Sequence, residues 1–284
     1  MESPPQPGSS SPFLSRAEFD ELIRLGEIYG TDGKHIYAGY RRIEGADVES
    51  FRLLSEQYAS DRAHLYFEFF LVPTRFHGGG APYAEVDRDS FEVLGKDFAR
   101  DRTHLYWRND IVYGVAPGGV TYLSEHFLVD AERAYYFYAG LHRQQLSEDQ
   151  TRYLGICPQV LPDANARRFR VLGAFYGSDG ERVFWMTDAI PGAHPGTIEY
   201  LKDAFAKDAT AVYFMGAVLD AADPLTFQIL GDTRCCKDRY RVWEYAHDAG
   251  EHSACVEIEG ADPTRFDPAA ERSRHFAFLA ELDD

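Results

Sequence analysis

A mainly β fold of about seven tandem units, solenoid-like or propeller-like, is what this sequence predicts, and three observations predict it. A short block of Asp, polar residues and an aliphatic–aromatic pair occurs seven times in the 284 residues. A second block of the "GADPTRF" kind follows every copy of the first. The two blocks keep a nearly constant spacing, which marks a repeat architecture and not chance similarity.

Residues 1–12 are rich in Pro and Ser and are expected to be a disordered tail. In "SRAEFDELIRLGEI" Ser15 and Glu18 have capping-box spacing, and Phe19, Leu22, Ile23 and Leu25 follow on an amphipathic pattern. This predicts a helix over residues 13–28 that caps the first unit, with the repeat domain occupying 29–284. The segment after 266 includes "ERSRHFAFLAEL", which would close the far end as a helix or a strand.

The repeat is laid out by aligning Asp32, Asp61, Asp101, Asp130, Asp179, Asp208 and Asp238. Five residues later stand Tyr37, Tyr66, Tyr106, Tyr135, Phe184, Tyr213 and Trp243, all aromatic. Three residues earlier stand Tyr29, Tyr58, Phe98, Phe127, Tyr176, Phe205 and Cys235. From the Asp to the third residue of the second block is 15 residues in copies one, three, five and six, and the return distance is 14 in five cases and 15 in the last. The basic unit is therefore 29 residues, and copies two, four and seven carry 11, 20 and 9 extra residues, always between the aromatic pair and the second block.

An aromatic strand, an Asp-led polar turn and a second aromatic strand read as a hairpin in which the Asp carboxylate accepts backbone N–H bonds of its own turn. On that reading Asp101→Ala costs about 1 kcal/mol. In "ADPLTF" the Asp is placed to cap one helical turn that starts at Pro224, turning Phe227 inward. Neither piece buries its aromatics alone, so stability must come from neighbouring units.

The blocks "SDRAHLYF", "RDRTHLYW" and "KDATAVYF", with the "GADPxxF" partner, resemble the bacterial DKNYY family over residues 29 to about 266. The resemblance implies a β-rich tandem-repeat protein and carries over no site residue.

Composition narrows the function. The formal charge of −17, from 46 acidic and 29 basic residues, disfavours nucleic acid and anionic membranes as partners and favours a basic protein. No membrane-length apolar stretch and no leader pattern is read at the start, so a cytoplasmic location is expected. His35, His64 and His104 share a repeat position, but later copies put Arg133, Arg182, Ala211 and Arg241 there, which suits a solvated turn edge better than a metal site. Cys157, Cys235, Cys236 and Cys255 lack CxxC spacing and read as reduced thiols, with Cys235 a buried substitute for the repeat aromatic. "HGGG" at 77–80 has no G-x-S-x-G elbow to serve.

The expectation is a non-enzymatic protein without cofactor or metal, most specifically a bacterial immunity protein that neutralises a basic cognate toxin. The competing readings are a structural scaffold repeat protein, and an enzyme using insert residues such as His77, Glu85, His142 and Glu148. The partner-binding residues are expected on the inserts: Arg75, Phe76, His77 and Tyr83 in copy two, His142, Arg143, Gln144 and Tyr153 in copy four, and His247, Asp248, Glu251 and His252 in copy seven.

Overall fold

A computed structural model describes residues 12–73, 84–138, 143–145, 153–202, 204–231, 233–246 and 253–268, with the backbone alone at 143–145 and 153–155. The expected N-terminal tail up to residue 11 and the C-terminal segment from 269 lie outside the described residues.

The fold is mainly β, as the spacing predicts, but each repeat is a four-stranded antiparallel meander where the sequence suggests a two-stranded hairpin. Copy two is representative: Arg52–Leu53, Tyr58–Ser60, Leu65–Phe67 and Phe70–Leu71 hydrogen-bond in that order. The central pair is registered Tyr58↔Phe67, Ala59↔Tyr66 and Ser60↔Leu65, and its six residues are all buried. The outer strands have two residues each and are half-buried or exposed. Such pieces are too short to show the alternation by which a strand is recognised in sequence.

The N-terminal expectation fails in its length. Ser15 and Glu18 do form a reciprocal capping box, yet the helix covers only Arg16–Asp20. Ile23–Arg24 pairs with Tyr29–Thr31 as the first strand of copy one, standing the same nine residues before Asp32 as Arg52 stands before Asp61. Sheet pairing wins because it completes the repeat, whereas five helical residues with none buried have little packing to extend them. The one-turn helices of the second block are likewise reduced to hydrogen-bonded turns, such as Ser50 N–H to Asp47 C=O at 3.3 Å. They tighten to 3₁₀ turns at Arg88–Ser90 and Ala166–Arg168.

The described residues divide into two compact units, one comprising residues up to 128 with 137–159, the other 129–136 with the residues from 160 onward. In the first unit the core of copies one and two gathers Tyr29, Ile36, Ile43 and Tyr66, and that of copies two and three gathers Tyr58, Phe67, Tyr106 and Ile111. In the second unit one cluster runs through copies five to seven, from Tyr176 and Trp185 through Phe205 and Tyr213 to Trp243 and Tyr245.

Successive copies are joined through the aromatic three residues before the turn Asp. Tyr29 donates its hydroxyl hydrogen between Gln57 C=O at 2.5 Å and Glu68 C=O at 3.1 Å of the next copy. Tyr58 does the same with Asp97 C=O at 3.1 Å and Arg108 C=O at 2.8 Å, and Tyr176 donates to Ala204 C=O at 2.8 Å while accepting from Gly216 N–H. These carbonyls close the central hairpin of the next copy, at turns where Glu68, Arg108 and Met215 take left-handed φ values of 51°, 57° and 51°.

Two junctions use a ring in place of the hydroxyl. Phe98 meets Phe137 edge-on with centroids 4.7 Å apart, and Phe205 meets Tyr245 at 4.9 Å. Phe137 and Tyr245 stand seven residues after their turn Asp, the position held by Glu68, Arg108 and Met215 in the hydroxyl-type junctions.

Removing the Tyr58 hydroxyl leaves buried carbonyls of copy three short of a donor. Tyr58→Phe is expected to cost about 1–2 kcal/mol in urea unfolding with an unchanged m-value, while Tyr40→Phe, on a half-exposed ring, costs under about 0.5 kcal/mol.

Candidate functional site

The chemistry-bearing feature that recurs through the chain is the turn carboxylate. Asp61 accepts Ala63 N–H at 2.7 Å and His64 N–H at 2.6 Å on Oδ1. On Oδ2 it accepts the Tyr66 hydroxyl at 2.7 Å and the N–H of Asp47, from the preceding second block, at 3.0 Å. Asp101 repeats the pattern with Thr103, His104, Tyr106 and Asp87, and Asp208 with Thr210, Ala211, Tyr213 and His194. Asp179 and Asp238 keep the long-range bond, from Asn165 N–H at 3.2 Å and Asp223 N–H at 2.7 Å. Where Phe184 has no hydroxyl to offer Asp179, the Arg182 guanidinium supplies the donor at 3.1 Å.

The second block docks at another point as well. The hydroxyls of Ser50 and Ser90 accept the N–H of Arg62 and Arg102, each at 2.9 Å, and Thr226 accepts that of Arg239 at 3.1 Å. The same three arginines reach back to Asp47, Asp87 and Asp223 as ion pairs.

The electrostatics follow from these contacts. Burial pushes the carboxyl of Asp61 upward, but the Tyr66 hydroxyl and the N–H groups of Asp47, Ala63 and His64 outweigh it and hold the carboxyl down at about 2. Asp101 is likewise held at about 2, against burial, by Tyr106 and three backbone N–H groups. Asp32, Asp130, Asp179 and Asp208 move in the same direction against the same burial. The matching phenol Tyr135 is pushed up to about 12 by burial and then by Asp130. These shifts come from folding contacts at repeated positions, the origin that has to be set apart from catalytic tuning.

The histidines of the turns fit the edge reading. His64 and His104 present side chains 41% and 30% exposed, Nδ1 lying 3.6 and 3.7 Å from the Asp61 and Asp101 carboxylates. Among the described residues no group of three or more His, Cys, Asp or Glu is placed to hold a metal ion. The four cysteines form no disulfide with one another; Cys235 is buried, in line with a small apolar substitute, and Cys236 is buried with its thiol pushed up by hydrogen bonding to Cys255 and then by burial.

Of the predicted binding residues, Arg75, Phe76, His77, Tyr83, His142, His247, Asp248, Glu251 and His252 lie outside the described residues. Arg143 and Gln144 fall in the strand Arg143–Gln145, and Tyr153 in Tyr153–Ile156. These two strands of the copy-four insert pair with each other, and Val112↔Ile156 joins them in parallel to the sheet of copy three. The Tyr113 N–H donates to Ile156 C=O at 2.8 Å. This insert therefore covers a sheet edge, and Asp110–Val112 beneath it are all buried. Copy seven instead lengthens its own sheet, Val242–Ala246 pairing with Ala254–Glu257 on either side of the insert.

The sequence model of the DKNYY family matches residues 29–74 and 76–203, more than half of the chain. The match ends before the central hairpin of copy six, although copies six and seven keep the same turn carboxylate bonds. No curated protein and no solved structure matches.

Four donors on one buried carboxylate make the turn Asp more costly to remove than a solvated cap. Asp101→Ala is expected to cost about 3–5 kcal/mol, because it strands several buried donors, with Asp101→Asn intermediate. An unfolded carboxyl near 4 and folded values of about 2 mean that this stability is complete above pH 4 and is lost as pH falls toward 2. Acid unfolding followed by circular dichroism should lie in that window. Raised phenols act oppositely: stability present below pH 10 is lost as pH climbs toward 12.

Proposed function

The chain belongs to the DKNYY family, and from that premise we propose that it is a non-enzymatic protein-binding protein, more narrowly a bacterial immunity protein that binds and neutralises a basic antibacterial toxin. The observation that carries this reading is the excess of 46 acidic over 29 basic residues on a repetitive β frame. A partner of opposite sign meets such a surface quickly and is oriented by it, and toxins that act on nucleic acids or nucleotides are commonly basic. The turn carboxylates spend their lone pairs on the repeat itself, so recognition falls to the remaining acidic surface and to the inserts. On this reading the protein works in the cytoplasm of the producing cell, without cofactor or metal.

A specific observation favours the scaffold reading as second. The copy-four insert is used as an edge cover for copy three, which is what an insert does when its role is to complete the fold. Arg143, Gln144 and Tyr153 are then structural in part, and the copy-two and copy-seven inserts remain the binding candidates.

The direct test is to ask whether a neighbouring gene encodes a toxin domain, and to co-express the chain with that domain while following host survival and complex formation. The immunity reading expects protection, with a complex that weakens at least tenfold as salt rises from 50 to 500 mM, since screening removes the charge term. Full-length chain that neither protects nor binds would exclude it. Replacing residues 139–158 by a short turn is expected to lower stability by more than about 2 kcal/mol, through loss of the Tyr113 bond and exposure of Ile111 and Val112.

A further inference from the structure

The fourth strand of each repeat is the sheet's outer edge, and in two copies another stretch of chain fills it. In copy one Pro12–Leu14 lies along Arg41–Arg42: Arg42 N–H donates to Pro12 C=O at 2.9 Å and Leu14 N–H to Tyr40 C=O at 2.8 Å. In copy three Tyr153–Ile156 lies along Asp110–Val112. The edge is thus a surface that takes an extended segment by main-chain pairing, in either direction. Where it is filled by the copy-four insert the edge residues are buried.

Copies five and six carry the same edge with no strand on it among the described residues, and neither has an insert to supply one. Their fourth strands, Asp188–Ala189 and Ala217–Val218, are exposed at all four residues. Ile190 N–H donates to Val183 C=O and Leu219 N–H to Val212 C=O, each at 2.8 Å. Ladder alternation therefore turns the N–H groups of Ala189 and Val218 outward, the register at which Arg42 binds Pro12. A Cβ on Gly216 would meet Trp185 Cβ at 2.5 Å, so the closing turn of copy six sits against the third strand of copy five.

Charge defines what fits. From Val183 to Leu201 and from Asp208 to Thr233 the chain contains no Lys or Arg, but contains Asp188 and Asp220 beside the edges, whereas Glu199 and Asp223 are engaged by Lys207 and Arg239. Lys202 and Lys207, between these stretches, are held by Gly231 C=O and by Glu199. We propose that the fourth-strand edges of copies five and six form the docking site for an extended, cationic segment of the protein partner, which adds to them as a strand. This deepens the protein-binding reading and rests on it. Pairing supplies main-chain bonds, and the acidic residues beside the edge select lysine and arginine.

The test uses a probe of defined chemistry, an acetylated and amidated ten-residue peptide alternating lysine and valine, titrated calorimetrically into the full chain at 50 mM salt. The control is the same peptide N-methylated at alternate residues, which keeps the charge and removes the donors on one edge. The proposal expects the control to bind at least tenfold more weakly. It also expects Ala189→Pro with Val218→Pro to weaken the unmodified peptide at least tenfold, with unfolding temperature as the check on folding. If the proline variant fails to fold, Ala189→Lys with Val218→Lys, at exposed positions, serves in its place with the same expectation. Equal binding of the two peptides, binding unchanged in the folded variants, or no binding of the unmodified peptide would overturn the edge site. A toxin complex that survives those variants would overturn the site but not the immunity reading, whereas edge-dependent peptide binding without any toxin complex would count against that reading alone.

Discussion

Everything in this molecule turns on a carboxylate that is buried and ionised at the same time. An isolated charge in such a place would be driven to neutralise, and Asp61 and Asp101 escape that because each receives four or more hydrogen bonds. One oxygen ties the hairpin turn, and the other joins a tyrosine of the same hairpin to the backbone of the preceding second block. The repeat is thereby closed by side chain to main chain contacts across its own boundary, where strand pairing alone would leave adjacent sheets unlinked.

That constraint explains the spacing. The stretch from Asp47 to Asp61 has both ends in one hydrogen bond, as do those from Asp87 to Asp101 and from His194 to Asp208, each 14 residues. The 15-residue stretch from Asp223 to Asp238 keeps the bond at 2.7 Å, so the tie holds these lengths to within one residue. The stretch from each aromatic pair to the next second block carries no such tie, and that is where 11, 20 and 9 residues enter. A second junction works in parallel, with a tyrosine hydroxyl over the closing turn of the next copy or a phenylalanine against an aromatic at the same position. Copies four and seven, which have the aromatic, are two of the three that carry extra residues.

Much of the architecture was legible in the chain because aromatic and turn residues recur at fixed intervals. The central strands, the Asp-led turns, the capping box at Ser15 and the repeat itself could all be read from residue type and spacing. The outer strands could not, since two residues show no period, and Ile23 looked helical until its place nine residues before Asp32 is compared with that of Arg52. The longer reach of the aspartates was present in the sequence as a nearly constant distance, 14 in five copies and 15 in the last, whose physical cause is visible only when Asp47 N–H is seen on Asp61. Nothing in Tyr153–Ile156 announces that it pairs with copy three, because its partner is set by topology and not by local pattern. The binding residues assigned to the inserts rest on position alone, and the exposed edges of copies five and six were invisible without the ladder that orients them.

The central claim is that the turn carboxylates stay charged inside the fold because backbone and phenol donors converge on them. The measurement that meets it most directly is a carboxyl-carbon NMR titration of selectively labelled aspartate, followed downward in pH while the protein remains folded. The account predicts that Asp61 and Asp101 are still ionised at pH 3, with midpoints at about 2. Midpoints for Asp61 and Asp101 at or above 4 in the folded protein would contradict it, since the donors would then not be holding the charge and the link between repeats would have to be sought elsewhere.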